Sequence, residues 1–236
     1  MLRLEKQDIE AVLCLLLMSI FSYDSKFNEV MGFIADLFIT NVIFLLCCLP
    51  IVTIGAAQTG LYTAMRVLQD PKDERSVLKA FFRGFKSGFF TVTVNHVIFL
   101  VLDGILLYTL WVAYTNRDAG LFVHWAFPLV MLILCLVIHA LLPAFHSRFG
   151  CRMSQLFRNC ILLFISHPLR ALCIGALTWA PMAMFYLAPA LFRNISAVFL
   201  CVYYSVAFLF CVVLLNKPFD LLIQDTNPDE EIEEVK

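Results

Sequence analysis

Residues 121–145 read LFVHWAFPLVMLILCLVIHALLPAF, a run of 25 without one Asp, Glu, Lys or Arg. The hydrocarbon core of a bilayer is ~30 Å thick, and a helix needs ~20 apolar residues to cross it. Four further stretches have this character, so the expected spans are Met31–Ile54, Phe89–Tyr114, Leu121–Phe145, Leu169–Phe192 and Ile195–Leu215. The runs are too long for the strands of an outer-membrane barrel and lack their alternation. Backbone groups in lipid must be satisfied internally, so these stretches are read as helices. Composition agrees: 61% of the residues are hydrophobic, 15% are charged and mean hydropathy is +0.86. Soluble domains carry ~25% charged residues. An ordinary soluble domain, a disordered chain and, at net charge −1, a basic nucleic-acid binder are excluded. The expected fold is all-α: one integral membrane helical bundle of five transmembrane helices with amphipathic cytoplasmic helices.

The charges are unevenly placed. The connection after the first span holds six basic residues, Arg66, Lys72, Arg75, Lys79, Arg83 and Lys86, and the one after the third holds four, Arg148, Arg152, Arg158 and Arg170. The alternate loops hold one each, Arg117 and Arg193. Basic residues stay on the cytoplasmic side, which predicts an external N-terminus and a cytoplasmic C-terminus. The expected organisation is an N-terminal extension over 1–17, a single membrane domain over 18–220 and an acidic cytoplasmic tail over 221–236. Ala11–Phe21 is apolar but too short to span. Arg3 and Lys6 fit the start of a secretory signal, while Glu5, Asp8 and Glu10 do not; an interfacial helix or dispensable extension fits better.

Within the first cytoplasmic connection, Pro50 ends the span, and Thr53 is a candidate cap for a new helix over Ala56–Gln69. A second amphipathic helix starts near Ser76. Val77, Phe81, Phe85 and Phe89 recur every four residues, with Lys79, Arg83 and Lys86 on a separate stripe. Such a basic stripe suits either a headgroup layer and internal packing or the docking of another protein; Arg158 belongs to the equivalent helix after the third span. Leu49-Pro50 is echoed by Leu142-Pro143, and Phe82-Arg83-Gly84 by Phe157-Arg158-Asn159, a faint sign of an internal repeat.

The segment Ala35-Asp36-Leu37, Asn41 and Cys48-Leu49-Pro50-Ile51-Val52-Thr53-Ile54-Gly55-Ala56 resembles the YesL-like family, bacterial membrane proteins classed under a domain of unknown function. Gly60-Leu61-Tyr62 and the block Phe81-Phe82-Arg83-Gly84-Phe85-Lys86 extend the resemblance, which runs from about Met18 to Asp220, the later spans matching in hydropathy and spacing alone. The resemblance implies a bacterial plasma membrane and a neighbourhood with carbohydrate ABC importers and glycan-degrading enzymes. It implies no activity and no catalytic residue. Family members often begin with a segment like Met18-Ser19-Ile20-Phe21, which makes Met18 a candidate start.

Chemistry is sparse. H-E-x-x-H, G-x-S-x-G and phosphate-loop motifs are absent, and none of the nine cysteines forms a C-x-x-C. The expectation is no enzyme, no cofactor and no metal site. Cys135 and His139 share a helix face but need a third ligand to hold a metal. The candidate intramembrane polar site comprises Asp36, Asn41, Asn95, His96, Asp103 and His139. A charge at the middle of a span costs ~2.5–3.5 kcal/mol on insertion scales, so Asp103 is expected to face the bundle, as an ion or proton contact or as a neutral interhelical hydrogen bond. His96 lies 22 residues before Asp118 and His139 lies 21 after it. Antiparallel neighbours around that loop place both histidines at one depth, and a shared polar layer with Asp103 two turns further out is expected. Two functions are open. One is a non-enzymatic accessory or scaffold subunit associated with carbohydrate ABC importer permease subunits. The other is a small transporter or channel using intramembrane Asp and His residues. The bilayer is the one partner common to both, and nucleic acid is none.

Overall fold

The computed structural model describes residues 26–70, 76–115, 123–150, 153–187 and 189–226. The expected extension over 1–17, the loop around Arg117 and Asp118, and the end of the acidic tail lie outside the described residues. Among the described residues eight α-helices run in order: α1 (Lys26–Cys47), α2 (Ile54–Gln69), α3 (Val77–Gly88), α4 (Thr91–Thr115), α5 (Val123–Phe149), α6 (Met153–Ser166), α7 (Pro168–Leu187) and α8 (Pro189–Thr226). A 3-10 turn, Ile51–Thr53, joins α1 to α2, and no strand occurs among the described residues. Among the described residues five helices are long and apolar enough to cross a membrane: Phe27–Cys47, Thr91–Thr115, Ala126–Phe149, Pro168–Tyr186 and Val202–Asp220. The protein is an all-α, multi-pass membrane protein. Every span is shifted by a few residues from the sequence reading, and two of the shifts move a named residue. The first span stops at Cys47, ahead of Pro50, and α7 ends at Leu187 while α8 begins at Pro189, so that Arg193 lies inside α8. Proline is well placed to open a helix because its missing N–H is one of the donors left unpaired there.

Thr53 does not cap α2, since its side chain makes no capping bond to that helix. Its hydroxyl turns back instead, lying 2.6 Å from the carbonyl of Cys47 and 2.8 Å from that of Pro50. Pro50 has no N–H to offer the end of α1, and the threonine hydroxyl supplies the missing donor. The echoed Pro143 behaves differently. It sits inside α5, which continues to Phe149, so the two Leu-Pro pairs have unlike local structures.

Helix α2 is the hub. Residues Gly55 to Met65 are all buried, and α2 touches α1, α3, α4, α5 and α8. Its polar stripe is covered by α3 rather than by water. Thr59 and Thr63 satisfy their hydroxyls on carbonyls of their own helix, Gly55 at 3.0 Å and Thr59 at 2.8 Å, so their carbon atoms can meet a neighbour without an orphaned donor. Three glycines make that approach close. A Cβ on Gly60 would lie 2.8 Å from the Phe81 carbonyl oxygen, and one on Gly88 would lie 3.0 Å from Thr59 Cβ. One on Gly84 would collide with the Thr63 hydroxyl and sit 2.9 Å from the Thr59 carbonyl oxygen. Small residues let two backbones pack where lipid supplies no hydrophobic drive between helices.

The far end of α2 is tied down by side chains. Arg66 donates to the Ser147 carbonyl at 2.9 Å and Gln69 to the Leu209 carbonyl at 2.7 Å. His146 donates to the Ser87 carbonyl at 3.1 Å, and Arg148 pairs with Asp220 at 3.2 Å. Elsewhere Tyr62, Phe208, Phe44 and Tyr204 form a run of ring contacts linking α2, α8 and α1, with neighbouring centroids 4.5 to 6.1 Å apart.

Candidate functional site

Of the 25 residues in α4, five are buried: Val92, Asn95, His96, Phe99 and Asp103. They fall on one helical stripe, and three of the five are polar. The apolar remainder of the helix is largely uncovered, as a lipid-facing surface should be. Helix α4 therefore turns its polar groups inward, against α5.

There they meet His139, which is buried. Its Nδ1 lies 2.9 Å from Asp103 Oδ2, and its Nε2 lies 2.7 Å from His96 Nδ1. One imidazole thus bridges a carboxylate and a second imidazole in an unbroken chain. With Asp103 ionised and both histidines neutral, the donors follow from the chemistry of the groups. A carboxylate on Asp103 can only accept, so His139 Nδ1 carries the hydrogen. His139 Nε2 is then a lone pair and accepts from His96 Nδ1–H. That leaves His96 Nε2 as a second lone pair. It is buried without a hydrogen-bond partner, as are Asp103 Oδ1 and Asn95 Oδ1. The Ile51 carbonyl, at the break after Pro50, faces the His96 ring.

The walls of the chain are built from several helices. Phe99 packs on the His139 ring at 5.3 Å between centroids, and Trp179 of α7 meets it edge-on at 5.2 Å. Trp179 is held by donation to the Leu136 carbonyl at 3.0 Å. His96 backs onto Gly55, where an added Cβ would lie 2.8 Å from His96 Cβ. Pro143 has no N–H for the carbonyl of His139, one turn earlier, which loosens the α5 ladder beside the site.

The structure joins His96, Asp103 and His139 and separates the other candidates from them. Asn95 is buried one residue from His96 but donates to its own helix, to the Thr91 carbonyl at 2.9 Å. Asn41 serves another seam: its Oδ1 accepts the backbone N–H of Ser205 in α8 at 3.0 Å. Asp36 is half-buried on α1. Lys79, Arg83 and Lys86 are exposed on α3, and Arg158 is exposed on α6. Cys135 is half-buried one turn from His139, and no group of three metal-ligating side chains occurs among the described residues. Sequence reasoning missed Ile51, Gly55, Phe99 and Trp179. Gly55, directly after a proline break, carried a signal of close approach; the others carried none beyond their apolar character.

No curated protein and no solved structure matches the chain. Residues 37–110, a stretch that holds His96 and Asp103 but not His139, are similar to a family described as "Protein of unknown function, DUF624".

Proposed function

We propose that the protein is a small proton-linked transporter or channel of the bacterial plasma membrane, with the proton held and passed by Asp103, His139 and His96. The observation that carries this reading is the continuous hydrogen-bonded chain of three titratable side chains, sealed between α4 and α5 and unpartnered at both ends. A proton arriving at His96 Nε2 forms an N–H there, which can donate to the Ile51 carbonyl. The Nδ1 proton of His96 passes to His139 Nε2. His139 becomes an imidazolium beside the Asp103 carboxylate, an ion pair in place of a neutral bond. Transfer of the His139 Nδ1 proton to Asp103, and its release there, completes one passage. Return of both rings to their first tautomers resets the chain.

The test uses the full chain alone in vesicles with a pH-sensitive dye inside. Proton movement down an imposed gradient is the expected result, with Asp103→Asn and His139→Gln each slowing it at least tenfold. Wild-type vesicles no more permeable than empty ones would overturn the reading. The bias of basic residues supports the cytoplasmic C-terminus, and labelling of Asp73→Cys from the outside of intact cells would contradict that orientation.

A second reading, an accessory subunit of a carbohydrate ABC importer, draws its support from the resemblance of residues 18–220 to the YesL-like family. Stoichiometric recovery of permease subunits from mild detergent is its expected signature.

A further inference from the structure

Helix α3 has two faces of opposite character. Its inner face is held by Gly84 and Gly88 against the threonines of α2, and Phe81 is fully buried beneath it. A turn of α3 about its own axis would drive side chains into that glycine contact, so the outer face cannot rotate inward. Along that outer face run Lys79, Phe82, Arg83 and Lys86, followed by Phe89 and Phe90, at steps of three and four residues. Phe82 is 52%, Phe89 49% and Phe90 79% exposed. The three cations span about 10 Å of helix. Helix α3 contains no acidic residue, and none of the three cations forms an ion pair among the described residues. Only Phe89 and Phe90 separate this helix from the membrane span of α4.

Water suits the cations and not the phenylalanines; hydrocarbon suits the phenylalanines and not the cations. The headgroup layer suits both, because ammonium and guanidinium groups reach phosphate oxygens while the rings enter the acyl boundary. The placement at the mouth of a span sets the stripe at that layer. We infer that the outer face of α3 is a binding site for anionic phospholipid, with Lys79, Arg83 and Lys86 on the headgroup phosphates and Phe82, Phe89 and Phe90 in the acyl boundary. The site is independent of the proton chain between α4 and α5. It presents α3 as a float that holds the α2–α3 pair at a fixed depth.

The test titrates the purified full chain in detergent with phosphatidylglycerol or phosphatidylcholine and counts bound lipid by native mass spectrometry. Wild type should prefer phosphatidylglycerol, and the triple variant K79Q/R83Q/K86Q should lose that preference by on the order of a hundredfold, each charge carrying about fivefold. Raising salt on the wild type should erode the preference in the same direction, a measurement that needs no variant to fold. Inorganic phosphate at matched concentration should displace little lipid, since it lacks the chains that engage the rings. Equal binding of the two lipids by wild type, an unchanged preference in the triple variant, or loss from that variant of a co-purifying protein rather than of lipid would each overturn the inference.

Discussion

The α2–α3 contact and the α4–α5 contact solve the same problem by opposite means. Between α2 and α3 the backbones approach through Gly60, Gly84 and Gly88, and the polar atoms of Thr59 and Thr63 are spent on their own helix. Between α4 and α5 the helices are joined by side-chain hydrogen bonds through His139. The first contact tolerates almost no change of volume, and the second almost no change of chemistry. The difference shows where adaptability resides. A glycine seam is rigid because its partners are backbone atoms, whereas a seam of imidazoles has more than one proton arrangement with nearly the same heavy-atom positions.

The sharpest way to break the glycine side is Gly84→Leu. The added side chain meets Thr63 and the Thr59 carbonyl, which cannot retreat without moving α2, so a loss of about 3 kcal/mol or more is expected in reversible unfolding from mixed micelles. Gly104→Leu is the contrast, because nothing lies within 4 Å of a Cβ at that position, and its stability should stay within about 0.5 kcal/mol of wild type. A Gly84→Leu protein as stable as Gly104→Leu would show that the seam is not tightly packed.

The polar side breaks more gently. His139→Leu removes the bridge and leaves His96 and Asp103 unpaired, with an expected cost of about 2 kcal/mol. A double-mutant cycle with His96→Ala should return a coupling of ~0.6–2 kcal/mol between the two histidines, and additive effects would deny the bond. Trp179→Phe keeps the aromatic wall but loses the bond to the Leu136 carbonyl, so about 1 kcal/mol is expected, together with slower proton movement if the ring orients His139. Among the polar contacts the smallest effect should come from Arg148→Gln. Its partner Asp220 has a side chain 61% exposed, and pairs of that kind contribute ~0–1 kcal/mol.

The histidine contact was legible from depth alone, because two helices of equal rise joined by a short loop place equidistant residues side by side. The spacing could not say which ring bridges to Asp103. That role falls to His139 because its ring lies between Asp103 and His96, while His96 backs onto Gly55 across a break in the chain. The periodicity of α3 identified an amphipathic helix but assigned its aromatic face to Phe81, Phe85 and Phe89 as one stripe. In the fold, Phe81 is buried, Phe85 is half-buried and Phe89 is exposed, while Phe82 joins the basic stripe.

What the amino-acid sequence determined by itself is whatever depends on the solvent. Lengths of apolar helix, their number, and the inward turn of Asp103 all follow from the cost of polar groups in hydrocarbon, which any neighbour would impose alike. Tertiary structure alone decided whatever depends on partners. The hydroxyl of Thr53 closes the helix behind it because the carbonyl of Cys47 lies within reach. The threonines of α2 are buried because α3 brings glycines to them. His139 carries two bonds because Asp103 and His96 arrive on one stripe of the facing helix. These choices rest on distances between residues far apart in the chain, and a local pattern of polarity holds no record of such distances.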